Sequence, residues 1–161
     1  MVPSLSRIIH AHADDHIATV RALFIEYAGW LKIDLCFQGF GDELRTLPGI
    51  YAPPKGRLYL ARNGDEAEGC IALRPLSDEI CEMKRLFVKE ASRGVGLGRR
   101  LAVTVITDAA SIGYRSMRLD TLPAMGAAID LYRSLGFKEI APDRDNPVPG
   151  ALFCELNLRS A

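Results

Sequence analysis

The chain has 161 residues, with 20 basic and 20 acidic side chains and 48% hydrophobic residues. These values are typical of one globular domain, so we expect a single domain over residues 1–161. Balanced charge argues against a nucleic-acid partner, and no apolar run approaches the ~20 residues of a membrane-spanning helix. The first residues lack a signal-peptide pattern and the cysteines form no CxxC pair, so we expect a cytoplasmic protein without a metal site.

The hydrophobic pattern alternates between strand and helix periods along the chain. The predicted elements are a strand at 6–11, a helix opening at Asp14, a helix at 40–47, strands at 58–62, 69–76 and 80–88, a helix at 97–112, a strand at 117–121, a helix at 124–135 and strands at 137–140 and 152–158. The strand–helix–strand unit of residues 80–121 should be parallel, so we expect an α/β fold with one central crossover. Regular alternation along strand 80–88 predicts one face that carries Glu82, Lys84, Leu86 and Val88.

A glycine-rich segment, Arg93-Gly94-Val95-Gly96-Leu97-Gly98-Arg99, lies between strand 80–88 and the helix that follows it. Glycines at alternate positions let backbone N–H groups approach a ligand closely, and the first N–H groups of a helix have no internal partner. The positive end of the helix dipole and the nearby side chains of Arg93, Arg99 and Arg100 favour an anion at the same place. The segment therefore predicts a phosphate-binding site.

Three other interpretations of this segment remain. A triphosphate-binding P-loop needs a Lys-Ser or Lys-Thr pair, which the segment lacks. A dinucleotide fingerprint needs a glycine where Arg99 stands and a tight turn directly after the strand, whereas residues 89–93 separate Val88 from Gly94. A glycine-rich turn that binds no ligand is the third.

Arg93-x-x-Gly96-x-Gly98 resembles the acetyl-CoA motif [QR]-x-x-G-x-[GA] of the GNAT superfamily of N-acetyltransferases. Upstream, Leu86-Phe87-Val88 resembles the end of the family's fourth strand. Downstream, Leu131-Tyr132-Arg133-Ser134-Leu135-Gly136-Phe137 resembles its L-Y-x-x-x-G-F signature, with the family's spacing between the motifs. The resemblance implies a mixed, mostly antiparallel central sheet with one parallel strand–helix–strand crossover and helices on both faces.

The resemblance also implies acetyl-CoA as co-substrate, bound without a metal. Its diphosphate would lie on the backbone of residues 94–99, and its pantetheine arm would pair with strand residues 86–88, where the fourth and fifth strands splay apart. A backbone N–H near Phe87 or Val88 would polarise the thioester carbonyl. The residues expected to bind the coenzyme are Leu86, Phe87, Val88, Arg93, Gly94, Val95, Gly96, Leu97, Gly98 and Arg99. Where many members have a pantetheine-binding asparagine, this chain has Met125.

Three residues are candidates for catalysis by this resemblance. Tyr132 would protonate the departing thiolate, since its ordinary pKa of about 10 keeps it protonated at neutral pH. Glu82 matches the position of a glutamate in histone-acetylating members, and Asp120 that of a glutamate in ribosomal-protein-acetylating members. Either carboxylate would take the proton that an acceptor ammonium must lose. The structural alternatives are a core tyrosine, an ion-paired Glu82 and a hydrogen-bonding Asp120 at a strand end.

We expect an enzyme that transfers acetyl directly to a primary amine of a small molecule or amino acid. A protein N-terminal or lysine acetyltransferase and a catalytically silent acyl-CoA-binding module remain as alternatives. Arg74 and Arg85 are candidates to clamp a substrate carboxylate. The open edges of the late strands favour a homodimer. The region expected to form the acceptor pocket contains Tyr27, Trp30, Asp34, Phe37, Phe40 and Asp42.

Overall fold

The computed structural model describes residues 6–31, 39–143, 146 and 148–159. Its strands are β1 (Arg7–His10), β2 (Arg57–Asn63), β3 (Glu66–Pro75), β4 (Ile80–Val88), β5 (Ser116–Thr121), β6 (Lys138–Ile140) and β7 (Leu152–Asn157). Its helices are α1 (Asp14–Leu31), α2 (Phe40–Thr46), α3 (Leu97–Ile112) and α4 (Gly126–Ser134), with short 3-10 helices at Gly49–Tyr51 and Glu90–Ser92. Within these ranges, no helix combines the length and apolarity needed to cross a bilayer.

The described strands form a seven-stranded sheet in the order β1-β2-β3-β4-β5-β7-β6. Neighbouring strands run antiparallel, except for β4 and β5, which are parallel and are connected through α3. The structure confirms the predicted mixed sheet with one parallel crossover.

Helices cover both faces of the sheet, each over its own hydrophobic core. On one face α3 buries a stripe with helical spacing, formed by Leu97, Leu101, Val105 and Ala109. On the other face α1 buries Ile17, Val20, Leu23 and Phe24. Burial of one such leucine contributes roughly 1.5–3 kcal/mol, so these stripes fix both helices against the strands. The expected placement of helices on both faces is confirmed.

Pairing between β4 and β5 is short. It consists of Ile80 with Ser116, Cys81 with Met117 and Glu82 with Arg118. Both strands continue beyond these pairs, β4 to Val88 and β5 to Thr121, but they diverge. The opening between β4 beyond Glu82 and β5 beyond Arg118, which we call the wedge, leaves the backbone edge of β4 without a partner from β5.

A β-bulge interrupts β4 just beside the wedge. The register between β3 and β4 shifts between Cys70 and Ala72, and Arg85 on the opposite strand has a φ of 59°. Beyond the bulge, Leu86 and Val88 pack against the core under α3, whereas Phe87 enters the core under α1. The prediction that Leu86 and Val88 share a face with Glu82 is therefore wrong, because the extra residue reverses the alternation.

Candidate active site

A groove of about 430 Å³ runs from the wedge along the start of α3 and α4. Strand residues 86–88 form one wall, and Ala124, Gly126 and Leu131 belong to the opposite wall. The glycine segment contributes Arg93, Gly94, Gly96, Leu97, Gly98 and Arg99. The residues expected to bind coenzyme thus lie together, except for the Val95 side chain, which is 77% exposed and is not part of the lining.

The backbone of the glycine segment leaves open space at the N-terminus of α3. Gly94 and Gly96 adopt left-handed conformations, with φ of 86° and 82°, which are costly for residues with a side chain. A Cβ added at either position would meet no atom within 4 Å, so open space lies over this backbone. Gly96 is the N-cap of α3, whose first N–H groups have no acceptor within the helix. The residues present therefore fit the diphosphate of a coenzyme.

The three arginines near this segment have different partners. Arg99 lines the groove and donates from Nη1 to Ser134 Oγ at 2.8 Å, which leaves it beside the expected diphosphate. Arg93 donates from Nε to the carbonyl oxygen of Val88 at 2.8 Å. Arg100 donates from Nη2 to the carbonyl oxygen of Ser6 at 2.8 Å and does not line the groove. Arg99 is the best placed of the three to contact a phosphate.

Trp30 lies in a different place from the one that we expected. Instead of the acceptor region, it lines the coenzyme groove, with 47% of its surface exposed. Its ring centroid is 6.3 Å from that of Phe87. Of the other residues expected in the acceptor pocket, Asp34 and Phe37 lie outside the described residues.

A smaller cavity of about 60 Å³ lies in the wedge itself. Its polar lining consists of Tyr27, Lys84, Arg85, Asp120, Thr121, Tyr132 and Asn146. It adjoins the coenzyme groove, because Leu86 and Met125 line both. A thioester placed at this junction would contact both spaces, so the smaller cavity is the candidate acceptor site.

Tyr132 projects from α4 to the small cavity. Its side chain is 8% exposed, and its ring packs 5.8 Å from that of Phe137. Burial raises the pKa of Tyr132 well above its usual value, and the charges of neighbouring groups, Asp120 among them, raise it further. Burial likewise raises the pKa of Tyr27, on the opposite wall, to about 12. Both hydroxyls are therefore protonated at neutral pH.

Asp120 is held by a residue that sequence reasoning missed. Asn146 donates from Nδ2 to Asp120 Oδ2 at 3.0 Å, and its own Oδ1 accepts from the N–H of Val148 at 3.0 Å. Both Asp120 and Asn146 line the small cavity. The sequence shows Asn146 only as one polar residue in a proline-containing loop, and nothing in it indicates that the loop reaches β5.

Glu82 lies elsewhere. It is fully buried, and its Oε1 lies 2.6 Å from Nε of Arg74 in an ion pair. It is not among the residues that line the small cavity.

Arg85, at the bulge, is also engaged by a carboxylate of the chain. Its Nε and Nη2 donate to the two carboxylate oxygens of Glu43 at 2.9 and 2.7 Å, and its guanidinium lies 5.3 Å from the ring centroid of Phe40. The two arginines proposed as a substrate clamp, Arg74 and Arg85, thus both pair with carboxylates of the protein itself. In the described parts of the chain, no group of three or more His, Cys, Asp or Glu residues has an arrangement that could hold a metal ion.

Comparison with known proteins agrees with this geometry. A family model described as an acetyltransferase (GNAT) domain matches residues 54–139. An uncharacterised N-acetyltransferase of Schizosaccharomyces pombe is 37% identical over 160 residues, which cover 98% of each chain.

Solved structures share the fold. An acetyltransferase from Streptococcus agalactiae superposes with a TM-score of 0.79 at 21% identity, over 94% of this chain and 98% of the other. A GNAT family acetyltransferase from Elizabethkingia anophelis, solved with acetyl-CoA bound, superposes with a TM-score of 0.55 at 25% identity, over 64% of this chain and 76% of the other. The chain belongs to the GNAT superfamily of N-acetyltransferases.

Proposed function

We propose that this N-acetyltransferase transfers the acetyl group of acetyl-CoA directly to a primary amine of a small molecule or amino acid. One observation carries the proposal: the groove that fits the coenzyme meets a small cavity lined by Asp120 and Tyr132. With the thioester at this junction, Asp120 as base, Tyr132 as acid and the edge of β4 would supply what direct acyl transfer needs.

The donor is held mainly by backbone. Residues 94–99 and the N-terminus of α3 bind the diphosphate, with Arg99 beside it. The edge of β4 at residues 86–88 binds the pantetheine arm, since β5 has diverged from it there. A backbone N–H at Phe87 or Val88 stabilises negative charge on the carbonyl oxygen, and such a donor typically contributes ~10²–10³ in kcat.

Two side chains move protons. Asp120 accepts the proton that the acceptor ammonium must lose, and the freed electron pair of the amine forms the new bond to the carbonyl carbon. When the carbon–sulfur bond breaks, its electron pair stays on sulfur, and Tyr132 donates its hydroxyl proton there. The nitrogen loses its second proton as the amide forms, and this proton restores the Tyr132 hydroxyl. Burial raises the pKa of Tyr132, so its hydroxyl still carries the proton to be donated at neutral pH.

We prefer Asp120 to Glu82 as the base. Asp120 lines the cavity and is oriented by Asn146, whereas Glu82 is fully buried against Arg74. Glu82 then has a structural task, because it neutralises a cation beside the wedge.

The size of the cavity supports a small acceptor. Its volume of about 60 Å³ suits a compact amine better than a peptide segment. The test is release of CoA thiol from acetyl-CoA against small amines, amino acids, and peptides with a free N-terminus or lysine. Turnover with small amines and not with peptides supports the proposal, and the reverse preference overturns it. Binding of acetyl-CoA without turnover of any amine would indicate a silent acyl-CoA-binding module.

A further inference from the structure

A further cavity, of about 260 Å³, lies between α4 and the strands β5 and β7, and we call it the α4 cavity. Thr121 of β5 pairs with Leu152 of β7, and Cys154 lies two positions farther along β7 on the same face. These three residues line the cavity on the strand side, and Ile129 and Tyr132 line it on the helix side. No step of the proposed reaction uses this space.

The lining of the α4 cavity is mainly apolar. Phe137 contributes a ring beside that of Tyr132, and burial raises the pKa of the Cys154 thiol, which is therefore neutral at pH 7. The charged residues of the lining are all exposed, namely Arg133, Lys138 and Glu139. Their charges can remain in water at the rim. Because an apolar cavity of about 150 Å³ binds benzene, the α4 cavity is large enough for a six-membered ring.

The α4 cavity adjoins the small cavity proposed for the acceptor, because Thr121 and Tyr132 line both. In the parts of the chain that the structure describes, it shares no lining residue with the coenzyme groove. The three spaces therefore follow one another in the order coenzyme groove, small cavity, α4 cavity. A ligand group in the α4 cavity approaches the reacting atoms from the side of the acceptor, opposite the donor.

The small cavity has room for only the reacting end of an acceptor. At about 10–15 Å³ for each water molecule, its volume of about 60 Å³ admits about four to six water-sized groups. The amino group, the carbon atom that bears it and the acetyl group of the donor fill such a space. The rest of an acceptor must extend beyond the small cavity, and the groove on one side of it is assigned to the coenzyme.

We propose that the acceptor is a primary amine with a compact apolar substituent, which binds in the α4 cavity while the amino group lies beside Asp120. The proposal rests on the assignment of the small cavity as the acceptor site, and it names the class of substrate for that site. Thr121 and Tyr132 lie where such a molecule passes from one cavity to the other. Burial of the substituent in an apolar lining then favours acceptors that carry it over amines that do not.

The kinetic test compares cyclohexylethylamine, its tetrahydropyranyl analogue and ethylamine with acetyl-CoA as donor. The first two compounds have rings of the same shape, but one ring carries an ether oxygen that the apolar lining does not favour. We expect cyclohexylethylamine to exceed ethylamine about 10- to 100-fold in kcat/KM, which is the effect of burying one large apolar group. It should also exceed its tetrahydropyranyl analogue about tenfold.

Two substitutions should change the size of the α4 cavity in opposite directions. Cys154→Phe fills it and should reduce the preference for cyclohexylethylamine over ethylamine about tenfold or more. Ile129→Ala enlarges it and should raise the use of the larger naphthylethylamine relative to cyclohexylethylamine about 3- to 10-fold. Val103→Ala, at an exposed position of α3 that lines none of the three spaces, should retain the wild-type ratios. Each ratio compares two substrates on one protein, so a smaller folded fraction does not alter it.

Equal use of cyclohexylethylamine and ethylamine by the wild type would overturn the inference, as would a preference that Cys154→Phe leaves unchanged. A preference for hexanoyl-CoA over acetyl-CoA that Cys154→Phe abolishes would place the acyl chain of the donor in the α4 cavity and would also overturn it. If no amine is acetylated, the proposed function fails, and calorimetry in the presence of CoA decides the present inference separately. N-acetylated cyclohexylethylamine should then bind about tenfold more tightly than N-acetylated ethylamine, with the difference lost in Cys154→Phe. Equal affinity, or no binding of either compound, excludes the proposed site.

Discussion

The guanidinium carbon of Arg93 lies 4.8 Å from the ring centroid of Trp30, over the entrance of the coenzyme groove. The same side chain donates to the carbonyl oxygen of Val88, so it joins the end of α1 to the end of β4. A cation over an indole face contributes about 0.5–1 kcal/mol at an exposed site. The pair therefore holds a large, half-exposed ring beside the groove that we propose for acetyl-CoA.

Trp30 is the one tryptophan of the sequence, so its fluorescence should report coenzyme binding. We expect acetyl-CoA to shift its emission to shorter wavelength, because the coenzyme shields the exposed ring from water. Arg93→Met should weaken acetyl-CoA binding about 2- to 5-fold, in line with the strength of a cation–π contact. Trp30→Phe is the optical control, with binding followed by calorimetry. An emission spectrum that saturating acetyl-CoA leaves unchanged would place the coenzyme away from Trp30.

The substitution Tyr132→Phe tests the proposal that Tyr132 is the general acid that protonates the departing thiolate. Removal of the hydroxyl should lower kcat about 10²-fold or more, with little change in KM for acetyl-CoA, because the ring still packs against Phe137. Burial raises the pKa of Tyr132, so the wild-type rate should show no loss from its ionisation up to pH 10. Tyr59→Phe, at a tyrosine that lines neither the small cavity nor the groove, is the control. Unchanged turnover in Tyr132→Phe would assign the proton to another donor.

The substitutions Asp120→Asn and Glu82→Gln test which of the two carboxylates acts as the general base. We expect Asp120→Asn to lower kcat/KM about 10²–10⁴-fold at neutral pH, with recovery for acceptor amines of low pKa, which need no base. Glu82→Gln should instead lower the thermal midpoint, because it removes the negative partner of Arg74 in a buried ion pair. Rates measured across a series of amines with different pKa values check both expectations. The assignment is reversed if only Glu82→Gln becomes dependent on amine pKa.

The substitution Gly96→Ala tests whether the left-handed backbone of the glycine segment is needed to bind the coenzyme diphosphate. The added methyl group meets open space, but the φ of 82° remains unfavourable and should cost roughly 1–2 kcal/mol. Acetyl-CoA affinity should fall together with the free energy of unfolding, because the backbone of the variant shifts away from the conformation that is proposed to bind the diphosphate. Gly29→Ala is the control, because Gly29 lies inside α1 with open space around it and should be stabilised by up to ~1 kcal/mol. Chemical denaturation and calorimetry give both quantities.

Lys84 should make the free energy of unfolding depend on pH in the alkaline range. Its pKa falls from 10.5 to about 8 on folding, so between these values the unfolded state binds more protons and stability rises with pH. Below pH 8 the full penalty of the buried charge applies. Lys84→Met should therefore stabilise the protein by about 1–2 kcal/mol at pH 7, after allowance for solvent screening, and by progressively less toward pH 10.5. Urea denaturation at pH 7 and pH 10 measures the difference, and a gain that is constant with pH would contradict this origin.

The sequence predicted those features that depend on local patterns. The helical stripe of α3 and the alternate glycines of residues 94–98 carry their own signals, and each lies where it was expected. The bulge at Arg85 has no such signal, because a positive φ normally selects glycine and here the fold imposes it on an arginine.

The sequence likewise did not predict which side chains from distant parts of the chain form hydrogen bonds with each other. Glu43 and Arg85 are 42 positions apart, and Asn146 and Asp120 are 26 apart. Charge alone does not choose among many possible partners at such separations. These contacts are decided by how the helices and loops pack on the sheet.

The bulge at Arg85 also divides β4 into two parts that line different spaces. Before it, Lys84 lines the small cavity, and after it Leu86 and Val88 pack on the α3 side of the sheet and line the groove. A substitution before the bulge should therefore change the small cavity while the part of the strand that lines the groove keeps its packing. One extra residue in the strand thus lets the two neighbouring spaces vary independently.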